Sequence, residues 1–297
     1  MKMRYMRKTI FAVALALAAA GCTKQQAQDA LSLEVKFNLE YPGMASKATA
    51  AGFEAGDVTG LYMTEWTDGS PVKLAAAGNA VNNARLTFDG VSWESRPKIW
   101  WDAGVKYDVY GYFPYAAPSS VDEYRFSVRT DQSTATAETL PGGYEASDFL
   151  WAKTSGVCYP QTVSLKFSHR MSRLVINLVK GEDFEGDFPE DIKVKIHGVV
   201  TDAVIDLGAG IVTADSRASK SSVTARKEAE GRYAAIMVPQ NISRRQPFVE
   251  ILTDNVSYLL EGRLNFKSGV EHHLNVTLTS DPSKVKIDIG GEVTSWN

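Results

Sequence analysis

Apolar and polar residues alternate with a period of two in several places along this chain, and no long segment keeps the 3.6-residue period of a helix. Leu33, Val35, Phe37 and Leu39 alternate with Glu34, Lys36 and Asn38. Val163, Leu165 and Phe167 alternate with Ser164 and Lys166. Ile192, Val194 and Ile196 alternate with two lysines; Leu274, Val276 and Leu278 with Asn275 and Thr277; Val285, Ile287 and Ile289 with Lys286 and Asp288. Each pattern predicts a strand with one buried and one wet face. Asp68-Gly69, Asp89-Gly90, Pro141-Gly142-Gly143, Gly208-Ala209-Gly210 and Gly290-Gly291 supply turn chemistry between the runs. Many short strands divided by such turns predict an all-β chain of mostly antiparallel sheets.

The N-terminus breaks this pattern. Lys2, Arg4, Arg7 and Lys8 precede the apolar stretch Ile10 to Ala20, which is too short to span a bilayer and suits the core of a signal peptide. Leu17-Ala18-Ala19-Ala20-Gly21-Cys22 then resembles the bacterial lipobox. That resemblance implies cleavage before Cys22 and lipid attachment to it, which is enough acyl chain for stable membrane anchoring. Residues 1–21 are thus expected to be a signal peptide and residues 22–30 a lipidated polar tether. The formal charge of −3 averages unlike parts. Without the four basic residues of the leader, 28 basic face 35 acidic residues, and the mature chain stands at −7. That acidic balance argues against a nucleic-acid binder. Two cysteines, Cys22 and Cys158, exclude a disulfide scaffold, and Cys158 is expected to be a small half-buried residue.

At 297 residues the length suits two domains. The aromatic-rich first half gives way to more aliphatic strands near Thr154 to Thr162. The expected organisation is therefore two tandem antiparallel β-sandwich domains, at 31–157 and 158–297.

Catalytic and metal motifs are missing: no GxSxG, HExxH, Walker loop, CxxC or EF-hand loop occurs. The chain is expected to be neither an enzyme nor a cofactor binder. His169, His197, His272 and His273 are scattered, and adjacent residues on a strand face opposite ways, so His272 and His273 do not chelate together. Six carboxylates fall within residues 182–191; without the spacing of a calcium loop, they predict a solvated acidic loop. Nine aromatics lie between Phe88 and Tyr115. They fit a sandwich core better than a glycan-stacking platform, with Tyr110 and Tyr112 on one face of a strand and Val109 and Phe113 on the other.

Several segments together resemble a known family. Ser46-Lys47-Ala48 is followed by Phe53-Glu54-Ala55-Gly56-Asp57-Val58-Thr59-Gly60-Leu61-Tyr62. Next come Trp93, Ile99-Trp100-Trp101 and Tyr107-Asp108-Val109-Tyr110-Gly111-Tyr112-Phe113-Pro114-Tyr115. Ser147-Asp148-Phe149-Leu150-Trp151-Ala152, Phe167-Ser168-His169-Arg170-Met171-Ser172-Arg173-Leu174, Ala235-Ile236-Met237-Val238-Pro239-Gln240 and Trp296 complete the series. In this order they resemble the fimbrillin-like family, the Mfa-like lipoprotein subunits of type V pili in Gram-negative anaerobes. The resemblance implies Greek-key β-sandwiches, the second transthyretin-like, and export to the cell outer membrane on the lipid of Cys22. It also implies proteolysis behind the first strand and donation of a strand by the next subunit, so that the partners are other pilus subunits. For an adhesive member they extend to a host or bacterial surface glycan or protein. The cleavage position falls at Lys47 and Ala48. Family members commonly carry Arg there, and an Arg-specific protease would not accept the lysine ammonium. Retention of strand and lipid, as in an anchor or accessory subunit, is therefore a second expectation.

Overall fold

The structure, a computed structural model, describes residues 33–43, 52–137, 140–253, 256–280, 286–288 and 294–296. The strands of the first half are β1 (Phe37–Glu40), β2 (Val58–Thr67), β3 (Ser70–Pro71), β4 (Val81–Phe88), β5 (Trp93–Arg96), β6 (Tyr107–Phe113), β7 (Tyr124–Ser127), β8 (Leu150–Val157), β9 (Val163–Lys166) and β10 (Ser168–His169). The second half continues with β11 (Ser172–Lys180), β12 (Lys193–Val200), β13 (Asp202–Asp206), β14 (Ile211–Ala214), β15 (Lys220–Thr224), β16 (Arg226–Ala229) and β17 (Arg232–Met237). It ends with β18 (Gln240–Thr253), β19 (Val256–Phe266), β20 (Val270–Leu278), β21 (Lys286–Asp288) and β22 (Thr294–Ser295). Among the described residues the only helix is one 3₁₀ turn at Glu145–Ser147. The all-β architecture read from the alternation is therefore the observed one.

A seven-stranded sheet runs β10-β8-β6-β2-β4-β5, with β3 added beside β2. Two further sheets, β16-β17-β11-β20-β21 and β15-β12-β18-β19, face each other in the second half, and β22 also pairs with β20. Most ladders are antiparallel, but β1 with β9 and β11 with β20 are parallel.

The sheets do not change over at residue 157. β9 pairs with β1, and β10 pairs with β8, so residues 163–169 belong to the first half's sheets. In return, β7 leaves the first half to pair with β13, which also carries β14. The expected division between residues 157 and 158 falls ahead of this exchange. Alternation tells which face of a strand is buried, not which sheet it joins.

Three apolar cores result. The first holds Leu61, Met63, Leu86, Val109, Leu150, Leu165 and Phe167 under β1. The last fills the sandwich of the second half with Leu174, Ile176, Val194, Ile196, Val249 and Leu274. Between them, Tyr62, Tyr110, Tyr112, Phe149, Val175, Ile205 and Ile236 form a core drawn from both halves. Strand β6 serves two of these cores, with Tyr107 and Val109 on one side and Tyr110 and Tyr112 on the other. The aromatic run is thus a strand buried on both faces.

Two local devices make β6 possible. Gly60 lies opposite Tyr112, and a Cβ there would sit 2.1 Å from the Tyr112 ring. The ring lies on bare backbone while its hydroxyl donates to the Ala116 carbonyl at 2.7 Å. Asp108, 1% exposed, accepts bonds from Trp66 Nε1 at 2.8 Å and the Gly156 N–H at 3.1 Å, and pairs with Lys153 at 3.0 Å. Burial alone would raise this carboxyl, but the Trp66 and Lys153 donors outweigh it and hold the group below its ordinary value.

Gly60→Ala is expected to cost about 3 kcal/mol by overpacking against Tyr112, read as a lowered midpoint in denaturant unfolding. Asp108→Asn is expected to cost about 1.5–3 kcal/mol at neutral pH, through loss of the carboxylate charge that pairs with Lys153 and strengthens the bonds from Trp66 and Gly156. Because the folded carboxyl titrates below the unfolded one, its stabilisation is present above an unfolded value of about 3.9 and is lost as pH falls through the folded value. Unfolding curves of the Asn variant should show a shallower acid limb than wild type.

Candidate functional site

The site centres on the first strand. Its regular portion, Phe37–Glu40, is shorter than the expected Leu33–Leu39 run, because the preceding residues pair with a different partner. Trp101 N–H donates to the Leu33 carbonyl at 2.7 Å, and Val35 N–H donates to the Ile99 carbonyl at 2.9 Å. Glu34 and Trp100 form the antiparallel bridge there. On the opposite edge the ladder to β9 is parallel, from Phe37 opposite Val163 to Glu40 opposite Lys166. The Val163 N–H donates to the Lys36 carbonyl at 2.8 Å, and the Phe167 N–H donates to the Glu40 carbonyl at 2.9 Å. Residues 33–35 are thus joined to residues 99–101 along one edge, and residues 36–40 to β9 along the other.

Side chains follow the pleat. Val35 and Leu39 are buried in the first core, and Phe37 and Tyr41 pack partly buried against it. Lys36 and Asn38 are exposed. Leu33, expected on the buried face, is 38% exposed beside the sheet's end. Each fully buried apolar side chain contributes about 1.5–3 kcal/mol to holding the strand. The outer face carries charge: Glu34 pairs with Lys98 at 3.0 Å and Lys36 at 3.4 Å, and the Lys98 bond draws its carboxyl below the ordinary value.

Beyond the strand, Tyr41 sits in an aromatic cluster. Its ring meets Phe53 edge-on at 5.2 Å, and Phe53 also meets Trp93, Phe113 and Phe167. Gly56 (φ +101°) and the Asp57 side chain, which accepts the Glu54 N–H at 2.8 Å, turn the chain from Phe53 into β2. Lys47, Ala48 and Cys22 lie outside the described residues. Tyr41 and Phe53 bring both sides of residues 44–51 to one cluster.

The other candidates separate. Trp101 is buried and Trp93 stacks on Phe88 at 5.1 Å, so of these tryptophans only Trp100, 57% exposed, offers a largely open ring. The acidic loop is anchored by Phe184 and Phe188, which pack against the last core, while Lys180 pairs with Asp187. Among the described residues no three His, Cys, Asp or Glu side chains converge as a metal site. His272 is buried and accepts the Lys267 N–H, whereas His273 bonds Glu271, in keeping with opposite faces. Cys158 is a partly buried free thiol.

His197 stands 2.7 Å from Ser222 Oγ and 2.9 Å from Glu250 Oε2. The trio has the composition of a nucleophile, base and acid. It lies as a cross-strand row opposite the core-facing Ile196, Val223 and Val249, and Ser257 occupies the other Glu250 oxygen at 2.8 Å. Such rows stabilise a sheet surface. The sequence gives no sign of this row, because its members lie on three separate strands.

Comparison with known proteins follows the same line. The crystal structure of a "putative cell adhesion protein" from Bacteroides ovatus superposes with a TM-score of 0.68 at 19% identity, covering 89% of this chain and 97% of that one. A second, from Bacteroides uniformis, gives 0.65 at 17% identity, covering 89% and 98%. These share the fold. The "Putative fimbrium tip subunit Fim1C" of Bacteroides ovatus is 24% identical over 135 residues, which are 42% of this chain but only 24% of that relative's length. Residues 46–296 match the fimbrillin-like family, and the chain belongs to it.

Proposed function

We propose that this chain is a structural or adhesive subunit of a surface pilus, exported to the outer membrane as a lipoprotein with lipid on Cys22 and polymerised by strand donation once its first strand has been cut away. Its partners are then other pilus subunits. The observation that carries this is the first strand, tied to residues 99–101 through residues 33–35 and to β9 through residues 36–40, and removable as one segment. Its departure uncovers apolar surface that includes Leu61, Leu86 and Val109, with the β9 backbone open beside the place of residues 36–40 and the 99–101 backbone beside that of residues 33–35. Such a groove favours an extended segment with apolar residues at every second position. Val285, Ile287 and Ile289 present that pattern near the other end of the sequence. Family membership and the fold shared with the Bacteroides adhesion protein support the pilus role. They also fit a protein whose work is assembly rather than catalysis.

Lys47 and Ala48 are the proposed cleavage point, since a cut there frees the first strand together with the lipid. A second reading keeps both, as a lipid-anchored accessory subunit that binds surface glycan. Trp100 favours it, as an exposed indole next to the first strand.

Nicking after residue 47, followed by removal of residues 22–47, is expected to yield a chain that polymerises or captures a peptide of residues 280–297, while the intact chain does neither. Size-exclusion chromatography and peptide titration provide the measurement. A nicked chain that stays monomeric and ignores the peptide would sink strand donation. N-terminal sequencing of sheared surface material separates the readings, with Ala48 first for a polymer subunit and lipidated Cys22 for an anchor.

A further inference from the structure

One buried histidine touches both ends of the described chain. His169, 5% exposed, places Nδ1 3.0 Å from Asp148 Oδ1. The other Asp148 oxygen accepts the Tyr41 hydroxyl at 3.4 Å, and the Tyr41 ring meets the imidazole edge-on at 5.9 Å. On its flat face the imidazole stacks with Trp296 at 3.8 Å and 3° between planes. The Trp296 N–H donates to the Gly269 carbonyl at 3.0 Å, and Gly269 N–H donates to the Met171 carbonyl at 2.8 Å. Just beyond, β22 pairs with Val270 and Glu271. Tyr41 belongs to the segment that strand donation removes, and Trp296 to the segment that would be donated.

We propose that His169 is a positioning residue that couples these two segments: while the first strand is seated, Tyr41 and Asp148 hold the imidazole against Trp296, and departure of the strand releases β22 and Trp296. This rests on the strand-donation reading above.

The physical case is one of orientation. A parallel stack requires the imidazole plane to be fixed, and its bond to Asp148 is what sets the ring's rotation. Asp148 is in turn held by Tyr41. Burial, and then the Asp148 carboxylate, raise the Tyr41 phenol above its ordinary value, so it remains a donor. Removing residues up to 47 takes away that donor and the edge contact together. Asp148 then opens to water, the imidazole loses its fixed plane, and the dispersion contacts of the stack are lost with small displacements. A free alternating strand is an aggregation hazard, so holding the donor segment until a groove exists has an evident use.

The coupling must be reciprocal. Hydrogen exchange by mass spectrometry on residues 22–297, with the first strand intact, tests it. Tyr41→Ala is expected to speed exchange in residues 294–296 roughly three- to tenfold, about one aromatic contact's worth, leaving β18 and β19 unchanged. Trp296→Ala is expected to speed exchange in residues 33–41 to a similar degree. The double variant should show less than the product of the two effects. In a His169→Ala background, Tyr41→Ala should no longer alter residues 294–296. Effects confined to each variant's own segment, or multiplying in the double variant, would overturn the coupling. Should His169→Ala fail to fold, the pair of partly exposed positions 41 and 296 decides alone. A nicked chain that captures the 280–297 peptide although positions 41 and 296 act independently refutes the latch and leaves strand donation standing. Coupling in a chain that never captures peptide overturns the release together with strand donation.

Discussion

The backbone of residues 33–35 hydrogen-bonds to residues 99–101 and that of residues 36–40 to β9, and the first half of the molecule depends on that strand. Without it, the 99–101 segment and β9 have no ladder between them, and their N–H and C=O groups face the slot. Leaving buried backbone groups unpaired costs about 1–3 kcal/mol each, on top of the apolar surface that Val35 and Leu39 cover. The slot therefore has a strong demand for one particular kind of occupant. It wants an extended chain, because only a strand satisfies two backbone edges at once. Side chains alone cannot substitute for it.

That demand reaches the second half through strands that serve two cores. β6 turns Val109 toward the first core and Tyr110 and Tyr112 toward the middle one. β11 does the same across the next boundary, with Val175 in the middle core and Leu174 and Ile176 in the last. The halves are also tied by charge. Arg173 on β11 donates to the Tyr144 hydroxyl at 2.7 Å and pairs with Glu228 at 2.5 Å and with Glu271. A guanidinium this buried is tolerable only when its donors are met, and removing one carboxylate would strand it. Arg226 lies over the Tyr144 ring and pairs with Glu145, so the 3₁₀ turn is clamped from the same side. The two sandwiches thus share a middle layer and do not hang from a linker.

Much of this was legible in the residues and some could not be. Alternation located β9, β12 and β20, and placed Val35, Phe37 and Leu39 on the buried face of the first strand. The split of Val109 from Tyr110 and Tyr112 read as a core strand, buried on both sides or lying under a loop, and the structure shows the first of these. What alternation cannot carry is partnership. Nothing in Val163–Lys166 says that it runs parallel to residues more than a hundred positions earlier, and nothing in Tyr124–Ser127 says that it joins Asp202–Asp206. Contacts of that separation are decided by the competition among all strands for edges. The Tyr41–Asp148–His169–Trp296 cluster was illegible for the same reason. Each residue stood in a recognisable segment, yet His169 alone read as an ordinary scattered histidine.

Register decides what a donated strand would leave behind. The groove takes side chains at 35, 37, 39 and 41 and keeps 36 and 38 in water. With Val285 in the place of Val35, Ile287 and Ile289 follow at 37 and 39, and Lys286 and Asp288 stay outside. A slip of one residue would drive both charges into an apolar floor, so the pleat fixes which set of side chains faces inward. In that register the place of Tyr41 falls to Gly291, which has no side chain to reach Asp148. The acceptor's first-strand groove would then be filled while its His169 stayed unbraced. Donation would restore the backbone ladder without restoring the hold on Trp296, and a subunit whose groove had been filled would keep its own donor segment free for the next.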